Sequence, residues 1–250
     1  MSKSHKLEAM PHPRPELSIV FAYYENPQML QLQWEEISQY PDDLKARMEV
    51  LVVDDGSPVH PAGEVGRPDG LPRSSVFRLR EDLPWNQDAA RNIGAHEALA
   101  PVLLLTDIDH IIPEATLRGV LDTKVRDGVF YSLGRIKYVG GAPSEPHPNS
   151  YVLTKKTYWD IGGHDEDFAG IYGKDFLFRK RAFLRASEHK LPELVLARVG
   201  STHFPDASTR TLRRNNSLSK RVWGYLLEWL KAARLWRGIQ TLTHPYDRVV

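Results

Sequence analysis

Three groups of polar side chains stand directly after apolar runs of the sequence. Residues 23–26 (YYEN) follow the first run, Asp54 and Asp55 follow the second, and residues 107–109 (DID) follow the most apolar one. Open α/β sheets bind ligands beyond the carboxyl ends of their strands, which is where these residues would lie. Carboxylates repel a bare diphosphate, but a divalent cation between them reverses that interaction, and oxygen ligands suit Mg²⁺ or Mn²⁺. The pattern indicates a cation-assisted phosphate site.

Asp107 and Asp109 are distinguished by their position. A D-x-D triplet is weak evidence for a metal site by itself, because chance supplies about one such triplet in a chain of this composition. Asp165 and Asp167 form a second one. Asp107 and Asp109, however, directly follow the most apolar predicted strand and precede Pro113, a predicted helix start. The alternatives for this pair are a metal site and a solvated turn with an Asp helix cap.

The elements that must position these residues alternate between strands and helices. Apolar and β-branched runs predict strands at 17–23, 49–53, 76–79 and 102–106. Helices are predicted at 27–40 and 86–99. Further on, strands are predicted at 129–133, 151–153 and 194–199, and a helix at 173–185. This alternation indicates an α/β fold with a mainly parallel sheet and helices on both faces.

Composition excludes several classes of protein. The chain has 250 residues, of which 41% are hydrophobic and 26% charged, which fits one globular domain with an appendage. It has no cysteine, which excludes disulfides, thiolate metal sites and a cysteine nucleophile. Residues 1–15 lack an apolar stretch and are predicted to be a flexible leader. No stretch is apolar enough to span a membrane, so we expect a cytoplasmic protein.

Five segments together resemble the GT-A nucleotide-sugar glycosyltransferases, in particular the inverting family 2 type. They are SIVFAYY at 18–24, VVDDGS at 52–57, AARNIGA at 89–95, LTDID at 105–109 and GGHDEDF at 162–168. Each segment is common, but five in this order and spacing are hard to obtain by chance. The resemblance implies a Rossmann-like GT-A domain, at 16–206, that transfers a sugar with inversion from a nucleoside diphosphate, UDP in the first place, to a hydroxyl group.

The resemblance also implies a donor side and a metal site. The expected donor contacts are Tyr23 in the nucleotide pocket, Asp54 or Asp55 at the uracil or ribose, and Arg91, Asn92 and Asp107 nearby. Asp107 and Asp109 would hold Mn²⁺ or Mg²⁺, which stabilises the leaving nucleoside diphosphate. His203 is a further candidate ligand because several such enzymes have a histidine in that region, and His110 and His164 are weaker ones. A lone histidine is more often a surface or packing residue.

The acceptor side is expected around the fifth segment. In the family, this segment is followed by Gly-x-Glu-Asp, whose Asp deprotonates the acceptor hydroxyl. This chain reads Gly173-Lys174-Asp175, so Asp175 is the expected general base, and Lys174 replaces the family Glu. Asp165 and Glu166 could contact the acceptor or cap a helix, and Trp159 could contact the acceptor or have only a packing role. The expected acceptor contacts are Trp159, Gly163, Asp165 and Glu166.

The end of the chain differs from the rest in charge. Residues 208–250 contain nine Lys and Arg against Glu228 and Asp247, so the net charge of +1 hides an acidic body and a basic tail. A helix is predicted at 218–239, within a basic, aromatic helical extension at 207–250. Three roles fit this composition: a helix packed on the domain, a contact with an anionic membrane surface that would make the protein peripheral, and a contact with DNA.

The acceptor itself is left open as a saccharide, a lipid-linked glycan or a nucleic acid, including modified DNA bases. Two further functions use similar residues. Metal-dependent nucleotidyltransferases also pair Asp residues on an α/β sheet, but they usually have a Gly-rich phosphate loop where this chain has YYEN. A non-catalytic nucleotide-sugar-binding module is the other alternative, because Lys174 alters the motif of the base.

Overall fold

The computed structural model describes residues 14–171, 173–174, 176–200 and 217–250. The strands are β1 (Leu17–Tyr23), β2 (Met48–Asp54), β3 (Arg73–Leu79), β4 (Val102–Asp107), β5 (His110–Ile111), β6 (Val129–Lys137), β7 (Pro143–Ser144), β8 (Tyr151–Thr154), β9 (Ser187–Arg198) and β10 (Tyr246–Arg248). The helices are α1 (Pro27–Ser38), α2 (Asp42–Lys45), α3 (Gln87–Glu97), α4 (Glu114–Asp122), α5 (Lys155–Ile161), α6 (Phe176–Arg185) and α7 (Leu218–Ala232).

The described strands form one mixed sheet in the order β10-β3-β2-β1-β4-β8-β6-β9-β5, and β7 pairs with β6. Its central strands β3, β2, β1 and β4 are parallel neighbours, whereas β8 runs antiparallel to both β4 and β6. In the parallel part, Tyr23 is in register with Asp54, and Ala22 with Asp107. The ends of β1, β2 and β4 therefore share one edge of the sheet.

Alternate side chains of β1 belong to two different layers of the core. Ile19 and Phe21 belong to a buried cluster that contains Trp34 of α1. Val20 belongs to a second cluster, which contains Ile93 of α3. Successive side chains of a strand point to opposite faces of a sheet, so the helices that bury them lie on both sides. The predicted α/β fold is confirmed.

The C-terminal segment, by which we mean residues 217–250, lies against the body of the domain and extends the sheet. α7 begins at Leu218 as predicted, but it ends at Ala232 and does not continue to residue 239. β10 pairs antiparallel with β3, with Tyr246 opposite Leu79. The predicted helical extension is therefore only partly helical, and its strand covers an otherwise open edge of the sheet.

The predicted division into residues 1–15, 16–206 and 207–250 stays a prediction, because residues 1–13 and 201–216 lie outside the described residues. Within the part of the chain that the structure describes, none of the helices has the length and apolar character of a membrane span.

Candidate functional site

The predicted donor residues cluster at the shared edge of the sheet. Tyr23, Asp54 and Asp107 are the last residues of β1, β2 and β4. Asp55 follows β2, and its Oδ2 accepts a hydrogen bond of 3.2 Å from the backbone amide of Asn86. That bond ties the end of β2 to the turn before α3. Open α/β sheets bind their ligands at such an edge.

Asp54 shapes the loop that follows β2. Its Oδ1 accepts a hydrogen bond from the amide of Ser57, and its Oδ2 accepts one from the amide of Ala62, each at 2.8 Å. Burial raises the pKa of Asp54, and these hydrogen bonds partly offset the effect. Both oxygens of this fully buried side chain thus hold the loop, and the nucleotide contact predicted for Asp54 stays a prediction. The contact predicted for Asp55 stays a prediction.

Tyr23 and Glu25 fix the other side of the same loop. The Tyr23 hydroxyl donates to the carbonyl of His60 at 2.6 Å. Glu25 Oε1 accepts from the amides of Val59 and His60 at 2.8 and 3.0 Å. Glu25 has a φ of 48°, which is uncommon for a residue with a side chain and marks a tightly determined turn. The sequence analysis missed Glu25, and it placed Tyr23 in the nucleotide pocket, where the structure gives its hydroxyl a backbone partner.

Asp107 is held between a guanidinium group and an imidazole. Arg91 Nη2 donates to Asp107 Oδ1, and His147 Nε2 lies 3.3 Å from Asp107 Oδ2. Arg91 is almost completely buried on α3, so its evident role is to hold Asp107 in place. Burial lowers the pKa of His147, which the nearby Asp107 partly opposes, so the imidazole is neutral at pH 7. The sequence analysis missed His147, which only the fold brings to this edge.

Asp109 lies in the short turn that follows β4. Its Oδ1 is 2.8 Å from Nδ1 of His110, and its Oδ2 is 3.4 Å from Nε of Arg198 on β9. Gln33 of α1 donates to two carbonyl oxygens of this turn at 2.7 and 2.8 Å, which fixes its conformation. Burial raises the pKa of Asp109, but His110, His147 and Arg198 together hold it below its ordinary value. The group is therefore ionised at neutral pH.

The two carboxylates have the chemistry of a cation site that is shared with a substrate. The side chains of Asp107 and Asp109 are 32% and 33% exposed. Among the described residues, no three or more His, Asp or Glu side chains are grouped so that they could hold a metal ion. Mg²⁺ is commonly held by one or two carboxylates, with water and substrate phosphates as the other ligands. The partly exposed carboxylates of Asp107 and Asp109 fit that arrangement. His203 lies outside the described residues.

Glu166, a predicted acceptor contact, anchors the C-terminal segment. Its Oε1 accepts from Asn92 Nδ2 and from the amide of Leu242, both at 2.7 Å. Its Oε2 accepts from the amide and the hydroxyl of Thr243 at 2.7 and 2.6 Å. Four hydrogen bonds use the acceptor capacity of this buried carboxylate. The contacts give Glu166 a structural role, and its predicted acceptor contact stays a prediction.

Asp165 and Asp167 bind the same segment through charge. Lys231 Nζ lies 2.9 Å from Asp165 Oδ2 and 2.7 Å from Asp167 Oδ2. Asp165 Oδ1 also accepts from the amide of Gln240 at 3.1 Å, and Asp167 pairs with Arg237. The side chains of Asp165 and Asp167 are only 3% and 5% exposed. Asp165 thus anchors the C-terminal segment, and its predicted acceptor contact stays a prediction.

Asn92, Gly163 and Trp159 belong to one internal network. Asn92 Oδ1 accepts from the Tyr158 hydroxyl at 2.6 Å and from the His164 amide at 2.8 Å. Gly163 has a φ of 63°, and a Cβ there would lie 2.9 Å from Asn92 Oδ1, so the close approach requires glycine. The Trp159 ring packs edge-on against Tyr158 with centroids 5.0 Å apart. Asn92 therefore holds the loop of the fifth segment, and Trp159 packs against Tyr158. The donor contact predicted for Asn92 and the acceptor contacts predicted for Gly163 and Trp159 stay predictions.

Lys174, which departs from the family motif, contacts α7. Its Nζ lies 3.0 Å from Glu228 Oε2 and 4.3 Å from the centroid of the Tyr225 ring. A buried ammonium group needs such a carboxylate and is attracted by an aromatic face. Lys174 thus connects the segment of the candidate base to the C-terminal helix. Asp175 itself lies outside the described residues, and its predicted role stays a prediction.

Comparisons with known proteins concern the family and the fold of the chain. The model of a family described as glycosyl transferase family 2 matches residues 18–186, more than half of the chain. No curated protein matches the sequence.

Several solved structures share the fold. TarS 1–349 from S. aureus in complex with UDP is 18% identical, with a TM-score of 0.57 over 74% of this chain and 60% of that one. The mannosyltransferase PcManGT from Pyrobaculum calidifontis, in complex with GDP-Man and Mn²⁺, is 16% identical, with a TM-score of 0.53 over 90% of this chain and 66% of that one. GalNAc-T7 with UDP, GalNAc and Mn²⁺ is 14% identical, with a TM-score of 0.54 over 75% of this chain and 44% of that one. The chain spans about 60% of the length of the TarS chain, and identities this low establish the fold alone.

Proposed function

Because the chain belongs to glycosyl transferase family 2, we propose that it moves a sugar from a nucleoside diphosphate sugar to an acceptor hydroxyl, with inversion and with a divalent cation. One observation carries the proposal: Asp107 and Asp109 are partly exposed carboxylates at the edge shared by β1, β2 and β4. A carboxylate pair at the carboxyl edge of a parallel sheet can bind a diphosphate through a cation.

The donor that we propose is a UDP-sugar in the first place and a GDP-sugar in the second. TarS has been solved with UDP and with UDP-GlcNAc, GalNAc-T7 with UDP, and PcManGT with GDP-Man. In this chain the nucleoside would lie against the loop after β2, whose shape Asp54 and Tyr23 maintain. Asp55, at the start of that loop, is the proposed nucleoside contact.

Asp107 and Asp109 would hold Mn²⁺ or Mg²⁺, with water and the donor phosphates as the other ligands. PcManGT and GalNAc-T7 have both been solved with Mn²⁺. When bound, such a cation would stabilise the negative charge that develops on the departing diphosphate. The chain contributes preorganisation, since Arg91 holds Asp107 and Gln33 fixes the turn of Asp109.

Asp175 is the proposed general base. The acceptor oxygen forms a bond to the anomeric carbon and gives its proton to the Asp175 carboxylate. The bond between the anomeric carbon and the diphosphate oxygen breaks, and its electron pair leaves with the nucleoside diphosphate. Because the attacking and leaving oxygens occupy opposite faces of the carbon, the configuration is inverted. An Asp with an ordinary pKa of about 3.9 is ionised at neutral pH and can accept the proton.

The donor and cation are tested together by a screen of UDP- and GDP-sugars with Mn²⁺, Mg²⁺ or a chelator. The expected result is cation-dependent release of UDP or GDP from one donor, because a slow transfer to water needs no knowledge of the acceptor. Release of pyrophosphate would overturn the proposal in favour of nucleotidyl transfer. Binding of UDP by calorimetry without turnover of any donor would support a binding module instead.

The base is tested by Asp175→Asn beside the matched control Asp160→Asn, an exposed Asp that pairs with Lys156. We expect Asp175→Asn to bind the nucleotide and the cation like the parent chain and to lose transfer by about 10²-fold or more, since general-base catalysis contributes on that order. Asp160→Asn should transfer at the parent rate. Normal transfer by Asp175→Asn would overturn the assignment.

A further inference from the structure

Helix α7 presents a row of apolar side chains to solvent. Five large residues recur at helical spacing on its outward side and are between 44% and 74% exposed. We call this set the outer stripe: Leu218, Val222, Tyr225, Leu226 and Trp229. Residues spaced by three and four positions share one face of a helix. The outer stripe therefore forms a continuous row, about 17 Å long at 1.5 Å per residue.

The opposite face of α7 is fixed to the body of the domain. Leu227 is buried in a cluster with Phe168 and Ile171. A Cβ added to Gly224 would lie 2.9 Å from Ile171 Cγ2, so the helix is as close to this segment as glycine allows. Lys231 continues the same face and pairs with Asp165 and Asp167. A rotation of α7 that buried the outer stripe would break all of these contacts.

The apolar surface continues past the end of the helix. Leu235 and Trp236 are 65% and 41% exposed. The Trp236 ring packs edge-on against Trp223 of α7, with centroids 5.9 Å apart. A continuous exposed apolar surface along a helix and past its end is uncommon on monomeric proteins and usually marks a binding surface.

The charges around the outer stripe are positive. Arg221 and Arg234 are exposed at its flanks. Glu228 is the single acidic residue of the sequence between 217 and 246. It faces inward, where Lys174 and Lys180 lie 3.0 and 3.4 Å from its oxygens. The surface that remains is apolar in the middle and cationic at its edges.

We propose that the outer stripe of α7 binds the surface of an anionic lipid bilayer. A helix that lies in the interface places Leu, Val, Trp and Tyr among the acyl chains and keeps Lys and Arg at the lipid headgroups. Nucleic acid is the weaker match, because bases stack on aromatic rings and offer no partner for the aliphatic side chains of Leu218, Val222 and Leu226. The inference extends the proposed function and does not depend on it, since the lipid contact involves none of the residues proposed for transfer.

The test is sedimentation of the full chain with phosphatidylcholine vesicles, with and without phosphatidylglycerol. We expect the parent chain to bind the anionic vesicles at least about tenfold more tightly than the neutral ones, because basic residues near the surface each add to the attraction. Val222→Glu/Trp229→Glu should lose about tenfold or more in affinity, because it places charge in the buried part of the interface. Both positions are exposed, so the melting temperature should not change.

A matched control separates the outer stripe from apolar surface in general. Val139 and Val222 are 61% and 58% exposed, and Val139 lies in the loop after β6, outside the C-terminal segment. Val139→Glu should bind vesicles like the parent chain, and Val222→Glu alone should bind less. Arg221→Glu/Arg234→Glu should remove the preference for anionic vesicles.

Three results would overturn the proposal. The parent chain could fail to sediment with either vesicle, or Val222→Glu/Trp229→Glu could sediment as well as the parent. Light scattering after gel filtration could also show a dimer that Val222→Glu/Trp229→Glu converts to a monomer, without vesicle binding by either, which would assign the outer stripe to a second copy of the chain. None of these outcomes depends on sugar transfer, so each is distinguishable from failure of the proposed function.

Discussion

Asp107-Ile108-Asp109 and Asp165-Glu166-Asp167 have the same D-x-D spacing and opposite surroundings. The carboxylates of Asp107 and Asp109 are about one third exposed, and their described partners are the side chains of Arg91, His147, His110 and Arg198. The second triplet is buried and is covered by the C-terminal segment, which supplies Lys231, Arg237 and three backbone amides. The carboxylates of the first triplet are partly open to solvent, whereas those of the second are enclosed by the C-terminal segment.

The difference shows that carboxylates acquire their role from the partners that the fold supplies. A carboxylate whose oxygens are met by amides and by a buried ammonium group contributes to stability, and its removal leaves donors unsatisfied. A carboxylate at an accessible edge contributes little to stability and is available for chemistry. The two triplets should therefore respond to substitution in opposite ways, which the following changes test.

The largest effect is expected from Asp109→Asn in the first triplet. We expect loss of metal-dependent donor binding and a fall in transfer of about 10²-fold or more, because one of two cation ligands loses its charge. The free energy of unfolding should change by less than about 1 kcal/mol, as for other partly exposed ion pairs. Donor titration, steady-state kinetics and urea unfolding measure the three quantities. Asp122→Asn, at an exposed position on α4, is the control and should behave like the parent chain.

Glu166→Gln, in the second triplet, should lower the free energy of unfolding, which Asp109→Asn should leave nearly unchanged. Gln places an NH₂ group against at least one of the donors that now bind the carboxylate, so we expect the free energy of unfolding to fall by about 3 kcal/mol. Urea unfolding measures this loss, with Glu114→Gln as an exposed control that should stay within about 0.5 kcal/mol of the parent. An unchanged stability of Glu166→Gln would show that the two triplets do not differ as described.

Lys231→Met should have a smaller effect of the same kind. The substitution removes the ammonium group that lies 2.9 and 2.7 Å from Asp165 and Asp167. Arg237 still pairs with Asp167, so we expect a loss of about 2 kcal/mol, below the full cost of an uncompensated buried charge. Lys231→Arg keeps the charge and should recover most of the loss. Equal losses in both variants would show that packing, and not charge, anchors the segment.

The smallest effect is expected when pH is varied, on the contact between the C-terminal segment and the body of the domain. Burial raises the pKa of Asp167 and of Glu228, but Arg237 and Lys231 in the first case, and Lys174 and Lys180 in the second, hold the pKa below the ordinary values of 3.8 and 4.5. A carboxylate whose pKa is lower in the folded than in the unfolded state stabilises the folded state. This contribution is complete above the unfolded-state pKa and is lost as the pH falls through the folded-state pKa. The rate of proteolysis of the C-terminal segment should therefore be constant above about pH 5. It should increase as the pH falls below 4.5, the ordinary pKa of Glu228, and further as it falls below 3.8, that of Asp167.

Lys231→Met is the control for this dependence as well. Without the ammonium group, the pKa of Asp167 should rise toward its ordinary value, and the increase in proteolysis on acidification should be shallower than in the parent chain. An increase in proteolysis between pH 7 and pH 6, where the pKa of neither carboxylate lies, would contradict the assignment of the dependence to these two groups.

The central strands were predictable because each is a run of apolar residues whose burial requires no knowledge of the partner strand. β1, β2 and β4 therefore agree with prediction to within one or two residues. β9 was predicted only at 194–199 but begins at Ser187, because its first half is polar and contains Pro192. It pairs with β6 across an irregularity at Leu133 and Gly134. Such pairing depends on the neighbouring strand and leaves no periodic signal in the sequence.

The C-terminal segment shows most clearly where prediction from periodicity stops. Apolar spacing predicted a helix to residue 239, but α7 ends at Ala232, and Arg234 has a φ of 58°. Beyond that point the chain gives its backbone amides to Asp165 and Glu166 and then pairs with β3. Hydrogen bonds to buried carboxylates outweigh the helical tendency of the sequence, since an unmet buried carboxylate costs more than a turn of helix contributes.

The sequence by itself determined the α/β architecture, the family resemblance, the position of Asp107 and Asp109 after a buried strand, and the contrast between an acidic body and a basic tail. These properties follow from composition and from local periodicity. Only the tertiary structure decided that His147 joins the first triplet, that the second triplet anchors the C-terminal segment, and that α7 carries its apolar side outward. Each depends on which residues meet across long separations in the chain, and the energy of a carboxylate or an apolar face depends on the partner that it meets there.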